Sequence, residues 1–120
     1  GNEASQLAAV AQAEYANRRR RDMYFRSDMF AEPAWDMLLD LYVQHYRKRP
    51  VSVHSLCIAA AVPATTALRW ITKLVDHDLV LRRPSSIDNR VIHVSLTQRG
   101  VDEMEEYLRE RLHQRRNYGG

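Results

Sequence analysis

Cysteine is nearly absent from this chain, because Cys57 is the only one. A single thiol excludes an intrachain disulfide and a zinc site built on several thiolates, and this agrees with a reducing compartment. Long apolar runs are also missing. No stretch approaches the ~20 consecutive apolar residues that cross a bilayer, and the N-terminus lacks the pattern of a secretory signal. We therefore expect a cytoplasmic protein that makes no contact with a membrane.

The usual sequence signatures of catalysis are missing as well. The chain has no glycine-rich phosphate loop, no serine elbow and no carboxylate pair with an obvious cleft. Asp36 and Asp40 share a helix face, but without a companion histidine or glycine loop we expect them to be solvated. His54 and Cys57 lie three residues apart, which is too few ligands for a metal site, and Cys57 is expected to be an inert packing residue. We expect no enzymatic activity, no cofactor and no bound metal.

The charge of the chain is unevenly spread. The formal net charge of +3 favours polyanionic partners without naming one. Basic residues gather in short clusters along the sequence. These clusters are Arg18–Arg21, Arg47–Arg49, Arg82–Arg83 and Arg115–Arg116. Each of them is also compatible with a solvated surface.

Helical periodicity dominates the first two thirds of the sequence. After Pro33, apolar residues recur with the spacing of a buried helix face, and Pro50 prevents continuation of that helix. The members of this face are Trp35, Leu38, Leu39, Tyr42, Val43 and Tyr46. The short β-branched segment Val51–Val53 follows, and Ser52 is a candidate cap for a helix over His54–Ala61. A further helix is predicted from Pro63 to about His77, with its inner face on Ala67, Leu68, Trp70, Ile71, Leu74 and Val75.

The period then changes from helical to extended. Leu79–Arg83 and Val91–Leu96 are predicted strands, and the turn formers of Pro84–Arg90 join them into a hairpin. Thr97 is predicted to cap a last helix. Helices at both ends of the chain carry an apolar stripe. The stripes are Leu7, Val10, Ala11 and Tyr15 near the start, and Val101, Met104, Leu108 and Leu112 near the end.

This order of elements specifies a winged helix-turn-helix, mainly α with a small β-hairpin. We expect one domain, with an N-terminal helical extension over 1–32, the winged core over 33–100 and a C-terminal helix over 101–120. In such a fold the second short helix, here about Pro63–His77, enters the major groove of DNA. The tip of the hairpin, about Pro84–Arg90, reaches an adjacent minor groove.

The same residues resemble the MarR-type winged-helix regulators. The segment from Leu56 to Leu81 is similar to their helix-turn-helix and its exit, although Asp78 stands where that family usually has glycine. Asp88-Asn89-Arg90 resembles their wing-tip Asp-Arg-Arg, with Asn89 in place of one arginine, and Leu96–Gly100 resembles the Leu-Thr-x-x-Gly that opens their dimerisation helix. The resemblance implies sequence-specific binding of double-stranded DNA by a transcription regulator that pairs as a homodimer. It names no small-molecule effector.

The predicted recognition helix supplies the first candidate site residues. Thr65 and Thr66 at its start are candidates for phosphate or base-edge contacts. Arg69 on the outer face has the length to reach both acceptors of a guanine, and Lys73 is placed for a phosphate. The plainer interpretation is that Arg69 and Lys73 only solvate a helix face.

The hairpin supplies the second group. Arg83 lies on its first strand, and Arg90 at the tip suits a narrow, electronegative minor groove. Asp88 is close enough in sequence to orient the Arg90 guanidinium, although the pair could simply staple a turn.

Two further expectations remain open at this point. A winged helix can also be a protein-protein interaction module of a larger regulatory protein, and the fold alone does not decide between this and DNA binding. The two terminal stripes exceed what a small winged core needs, so we expect a second copy of the chain to cover them. The alternative is that the terminal helices fold back on their own core and the protein is a monomer.

Overall fold

The computed structural model describes residues 2–26 and 29–118, so the predicted units 1–32 and 101–120 fall partly outside it. The described residues form helices and a small antiparallel sheet, which confirms the predicted fold class. In chain order the elements are α1 (Asn2–Arg21), α2 (Pro33–Arg47), β1 (Val51–Ser52), α3 (Val53–Ala60), α4 (Ala64–Asp76), β2 (Val80–Pro84), β3 (Ile92–Leu96) and α5 (Gln98–Tyr118). The strand order is β1-β3-β2.

Local signals in the sequence determine where several elements begin and end. The Ser52 hydroxyl accepts the backbone N–H of Ser55 at 3.0 Å, which confirms Ser52 as the cap of α3. Helix α2 ends before Pro50, because Lys48 adopts a left-handed conformation with φ 57°. Asp78 does the same after α4 with φ 59°, as expected for a position where glycine is common.

The hairpin register is continuous from Val80 opposite Leu96 to Pro84 opposite Ile92. On the other edge of β3, Val51 lies opposite Val94, so the short extended segment before α3 becomes a third strand. This pairing ties the end of α2 to the base of the hairpin.

Both terminal stripes are largely buried within the chain itself, with only Tyr15 and Leu112 half-buried. Helix α1 packs against α2 and α5, and it leaves Leu7 and Val10 at 1% and 2% exposure while Leu108 on α5 is fully buried. The terminal helices therefore fold back on their own core, and the expectation that these stripes need a second copy is wrong. Pairing of two copies stays a prediction, which sedimentation of the wild-type chain tests.

Two side chains predicted in the core are exposed. Leu68 retains 44% of its accessible surface and Tyr46 retains 43%. Leu68 lies at the border of the apolar arc of α4, and Tyr46 lies in the last turn of α2, beyond the helices that cover its middle. The buried face of α4 consists instead of Ala67, Ile71 and Leu74.

Asp36 differs from the expectation of a solvated position, because its side chain is completely buried. Arg18 on α1 donates to the Asp36 carboxylate from Nε and, at 3.3 Å, from Nη2. Arg19 donates to the same carboxylate from Nη2 at 2.9 Å. A buried carboxylate is tolerated only when it is paired and hydrogen-bonded, and these two arginines supply both. The group joins α1 to α2.

Within the described ranges, no single helix is long and apolar enough to cross a membrane. Only α3 and α4 taken together have comparable length and composition, and they are bent by 108° where they meet.

Candidate nucleic-acid interface

Helices α3 and α4 form the predicted helix-turn-helix. Their axes differ by 108°, which lies in the range of roughly 90–120° found for this motif. The turn between them uses Ala61 in a left-handed conformation with φ 56°, followed by Pro63 at the start of α4. The small inner face of α3, where Leu56 and Ala60 are buried, lets the two helices approach closely.

The outer face of α4 is open to solvent. It carries Arg69, Thr72, Lys73 and Asp76, all of them outside the buried face as the periodicity predicts. In the part of the chain that the structure describes, no carboxylate lies within ion-pair distance of Arg69 or Lys73. The Lys73 amino group lies over the Trp70 ring, 4.4 Å from its centroid. This contact holds the lysine along the helix without removing its charge.

The first turn of α4 carries the two predicted threonines. Thr65 is exposed and Thr66 is half-buried. Pro63 precedes the helix and provides no side-chain cap. The first N–H groups of a helix have no partner within it, so this end of α4 presents free donors beside the threonine hydroxyls.

The wing tip is held by its own hydrogen bonds. The buried Ser85 hydroxyl accepts the N–H groups of Ile87 at 3.1 Å and Asp88 at 3.4 Å. Asp88 accepts Arg90 Nε at 3.1 Å and Nη2 at 3.0 Å, so the predicted orienting pair is present. Hydrogen bonds from Arg90 lower the pKa of the Asp88 carboxyl. The Arg90 side chain is nevertheless 91% exposed, and the pair leaves it at the outer end of the hairpin.

Sequence reasoning missed one residue of this tip. Ile87 is 96% exposed, so the loop at the end of the hairpin presents an apolar side chain to solvent as well as Arg90. Its position among turn formers could have identified it, because an isoleucine in such a turn has no core to join.

Arg83 is the candidate on strand β2. In the strand register Arg82 lies opposite Val94 and Arg83 opposite His93, and consecutive side chains of a strand point to opposite faces. Arg83 and His93 line a cavity together with residues at the end of α2. None of the α4 candidates lines this cavity, and a DNA contact by Arg83 stays a prediction.

Helix α1 supports the helix-turn-helix from behind, and the sequence did not reveal this. The Tyr15 hydroxyl donates to the Ala59 carbonyl at 2.8 Å, and Arg19 Nη1 donates to the same oxygen at 3.3 Å. Ala59 lies in the last turn of α3, where carbonyl groups lack partners within the helix. The end of α1 therefore holds the helix that precedes the turn into α4.

Comparison with known proteins identifies solved structures with a similar fold. No family model and no curated protein sequence matches the chain. Among solved structures, a MarR family transcriptional regulator from Silicibacter pomeroyi is 20% identical with a TM-score of 0.63, over 91% of this chain and 70% of that one. The S. aureus MepR-DNA complex is 15% identical with a TM-score of 0.61, over 88% of this chain and 86% of that one.

Some of the similar structures are considerably longer than the matched region. A single-residue mutant of Lactococcus lactis ZitR is 17% identical with a TM-score of 0.54, over 72% of this chain and 56% of that one. A mutant MepR from a multidrug resistant S. aureus clinical isolate is matched over 53% of its own length. At these identities the likeness establishes the fold, so the chain has the winged-helix fold of solved MarR-family regulators.

Proposed function

We propose that this chain binds double-stranded DNA as a MarR-like transcription regulator and is not an enzyme. Helix α4 enters the major groove, and the tip of the β2–β3 hairpin reaches the adjacent minor groove. The observation that carries the proposal is the outer face of α4, where Arg69 and Lys73 are exposed and have no carboxylate partner among the described residues. The likeness to MepR, whose structure in complex with DNA has been solved, supports the same use of the fold.

Each proposed contact has a distinct chemical role. Arg69 reads a guanine through both guanidinium arms, and Lys73 contacts a phosphate. Thr65 and Thr66 bind phosphates of the DNA backbone, together with the free N–H groups at the start of α4. Arg90, oriented by Asp88, enters the narrow minor groove.

Salt dependence tests the proposal directly. Each neutralised phosphate releases counterions. The logarithm of the association constant for DNA should therefore fall linearly with the logarithm of the salt concentration, with a slope of about −0.9 per phosphate contacted. A labelled duplex titrated at several salt concentrations gives this slope. A chain that fails to bind duplex DNA even at low salt would contradict the proposal.

Protein contact is the second candidate function, and one observation favours it. Ile87 and Leu68 place exposed apolar groups on the hairpin and on α4, the two elements that would otherwise face DNA. Exposed apolar side chains mark a protein interface where they lie together in one patch. Absence of DNA binding at low salt, together with loss of solubility relieved by Ile87→Ser, would favour this alternative.

A paired form of the chain has a geometric consequence for the DNA site. Two-fold pairing would place two α4 helices about one DNA turn apart, ~34 Å, and would require an inverted repeat with half-sites about 10 base pairs apart. Selection of bound sequences from random duplexes, together with sedimentation of the chain, tests this. A single half-site and a monomer mass would contradict the pairing alone.

A further inference from the structure

A cavity of about 620 Å³ lies between the end of α2, the turn that follows it and the β2–β3 hairpin. Its basic lining residues are His45, Lys48, Arg49, Arg83 and His93. None of its described lining residues is a carboxylate. In the described part of the chain, Lys48, Arg49 and Arg83 take part in no ion pair either. The cavity therefore concentrates positive charge that nothing in the described chain neutralises.

The volume and lining of this cavity resemble those of a small-molecule site. Its floor includes the buried apolar residues Leu41, Val51 and Val94, whereas Lys48 and Arg49 lie at its exposed rim. Small-molecule sites usually enclose about 300–1,000 Å³ and combine an apolar lining with a few polar groups. A matching ligand has an apolar body and a negatively charged group.

The electrostatics of the cavity favour an anion despite its position at a helix C-terminus. That end of a helix carries only about half a negative charge. The backbone N–H of Arg49 donates to the Gln44 carbonyl at 3.0 Å, and the backbone N–H of Lys48 donates to the His45 carbonyl at 3.1 Å. These two carbonyls at the end of α2 are therefore already hydrogen-bonded. Lys48, Arg49 and Arg83 each contribute a full positive charge, so the positive charge dominates.

The kinds of side chain indicate which anion fits. Arginine presents a planar fork of donors that matches phosphate oxygens, and lysine adds a point charge. Arg83 and His93 face each other across neighbouring strands, while Arg49 comes from the opposite wall of the cavity. Cations on two walls suit a doubly charged phosphate monoester better than a single carboxylate.

We propose that this cavity binds a small organic phosphate of nucleotide size, at a site separate from the outer face of α4. A phosphodiester of duplex DNA would use the basic rim but would gain nothing from the apolar floor, which favours a free ligand. The proposal does not depend on DNA binding, because none of the α4 residues discussed above lines the cavity.

Isothermal titration with adenosine 5′-monophosphate, and with adenosine as the uncharged control, tests the site on the whole chain. We expect the nucleotide to bind at least about tenfold more tightly than the nucleoside, because the phosphate supplies the charge-assisted hydrogen bonds. The double variant Arg49→Gln and Arg83→Gln should weaken nucleotide binding at least about tenfold. The matched control, Arg115→Gln and Arg116→Gln, removes two exposed cations from α5 and should leave it within about twofold.

The remaining outcomes overturn the proposal. Equal binding of nucleotide and nucleoside, or no binding of either at millimolar concentration, would exclude a phosphate site. Equal losses in both double variants would show non-specific attraction to a basic surface. A further outcome is that the nucleotide does not bind, while the Arg49→Gln and Arg83→Gln variant loses affinity for a short DNA duplex to the same extent as Arg69→Ala. The cavity would then be part of the DNA-binding surface. Circular dichroism of each variant verifies that the fold is retained.

Discussion

The carbonyl oxygen of Leu79 occupies the space where a side chain at Gly100 would begin, since a Cβ built on Gly100 would lie 2.2 Å from it. The same oxygen accepts the N–H of Thr97 at 3.0 Å. The Thr97 hydroxyl donates to the Asp78 carbonyl at 2.6 Å and accepts the Gly100 N–H at 2.9 Å. These contacts fasten the start of α5 to the start of the hairpin, and they confirm Thr97 as the cap of α5.

Replacement of this glycine tests the contact. We expect Gly100→Ala to lower the free energy of unfolding by about 1–3 kcal/mol, because the backbone at Leu79 must move. Alanine's better helix propensity opposes this by only about 1 kcal/mol. Urea denaturation measures the difference, and Arg99→Ala on the neighbouring exposed position is the control. A Gly100→Ala chain as stable as the wild type would mean that the close approach is not a constraint.

The buried ion pairs of Asp36 make a second prediction. Asp36→Ala should destabilise the chain by about 3 kcal/mol, because Arg18 loses its principal partner in a buried position. The Arg18 side chain keeps an ion pair with Glu32 at 3.0 Å, which places the loss at the lower end for buried pairs. Chemical denaturation measures it, with the exposed Glu106→Ala as the control. Similar small losses in both variants would show that the buried carboxylate contributes little.

Two arginines of the proposed DNA surface should respond differently to substitution. Arg69→Ala should cost roughly 1–3 kcal/mol on the preferred sequence and relax specificity at one position, with less effect on other sequences. Arg90→Ala should weaken binding mainly where the flanks are rich in A·T pairs, since these narrow the minor groove. Binding assays on matched duplexes distinguish the two. Equal losses of affinity on every sequence would show that both residues contact only phosphates.

The carboxylate beside Arg90 leads to a fourth prediction. In the wild-type chain the Arg90 backbone N–H donates to Asp88 Oδ1 at 3.0 Å. Asp88→Asn keeps an oxygen that can accept this hydrogen bond, but it removes a negative charge from the wing tip. We therefore expect tighter binding to non-specific duplex and a steeper salt dependence, because phosphates are no longer repelled. Specificity for the preferred site should fall, since the Arg90 guanidinium loses its orienting partner. Unchanged non-specific binding would place the wing tip away from the DNA.

Cys57 provides a fifth prediction from its pKa. Burial raises the pKa of the Cys57 thiol, so less reactive thiolate is present at a given pH than in an exposed cysteine. Alkylation by iodoacetamide at mildly alkaline pH should be slower in the native chain than after unfolding in urea. A small free thiol in the same urea concentrations corrects for the solvent. Equal rates in the native and unfolded chain would contradict the packing role.

The sequence determined the parts of the structure that depend on near neighbours along the chain. Helical spacing identified α2 and α4, alternation and turn formers identified the hairpin, and Ser52 and Thr97 marked the starts of their helices. Each of these features needs contacts over only a few residues, and residue type and spacing determine such contacts directly.

Only the tertiary structure decided how distant segments meet. It buried Asp36 against Arg18, 18 residues away, although the local pattern of α2 marks Asp36 as a solvated position. It also covered the stripes of α1 and α5 within the chain, and it brought Arg83 to a cavity beside the end of α2. A stripe or a charge along the sequence shows that something must cover or pair it. Which surface does so depends on the packing of whole helices, and this is decided only when they come together in three dimensions.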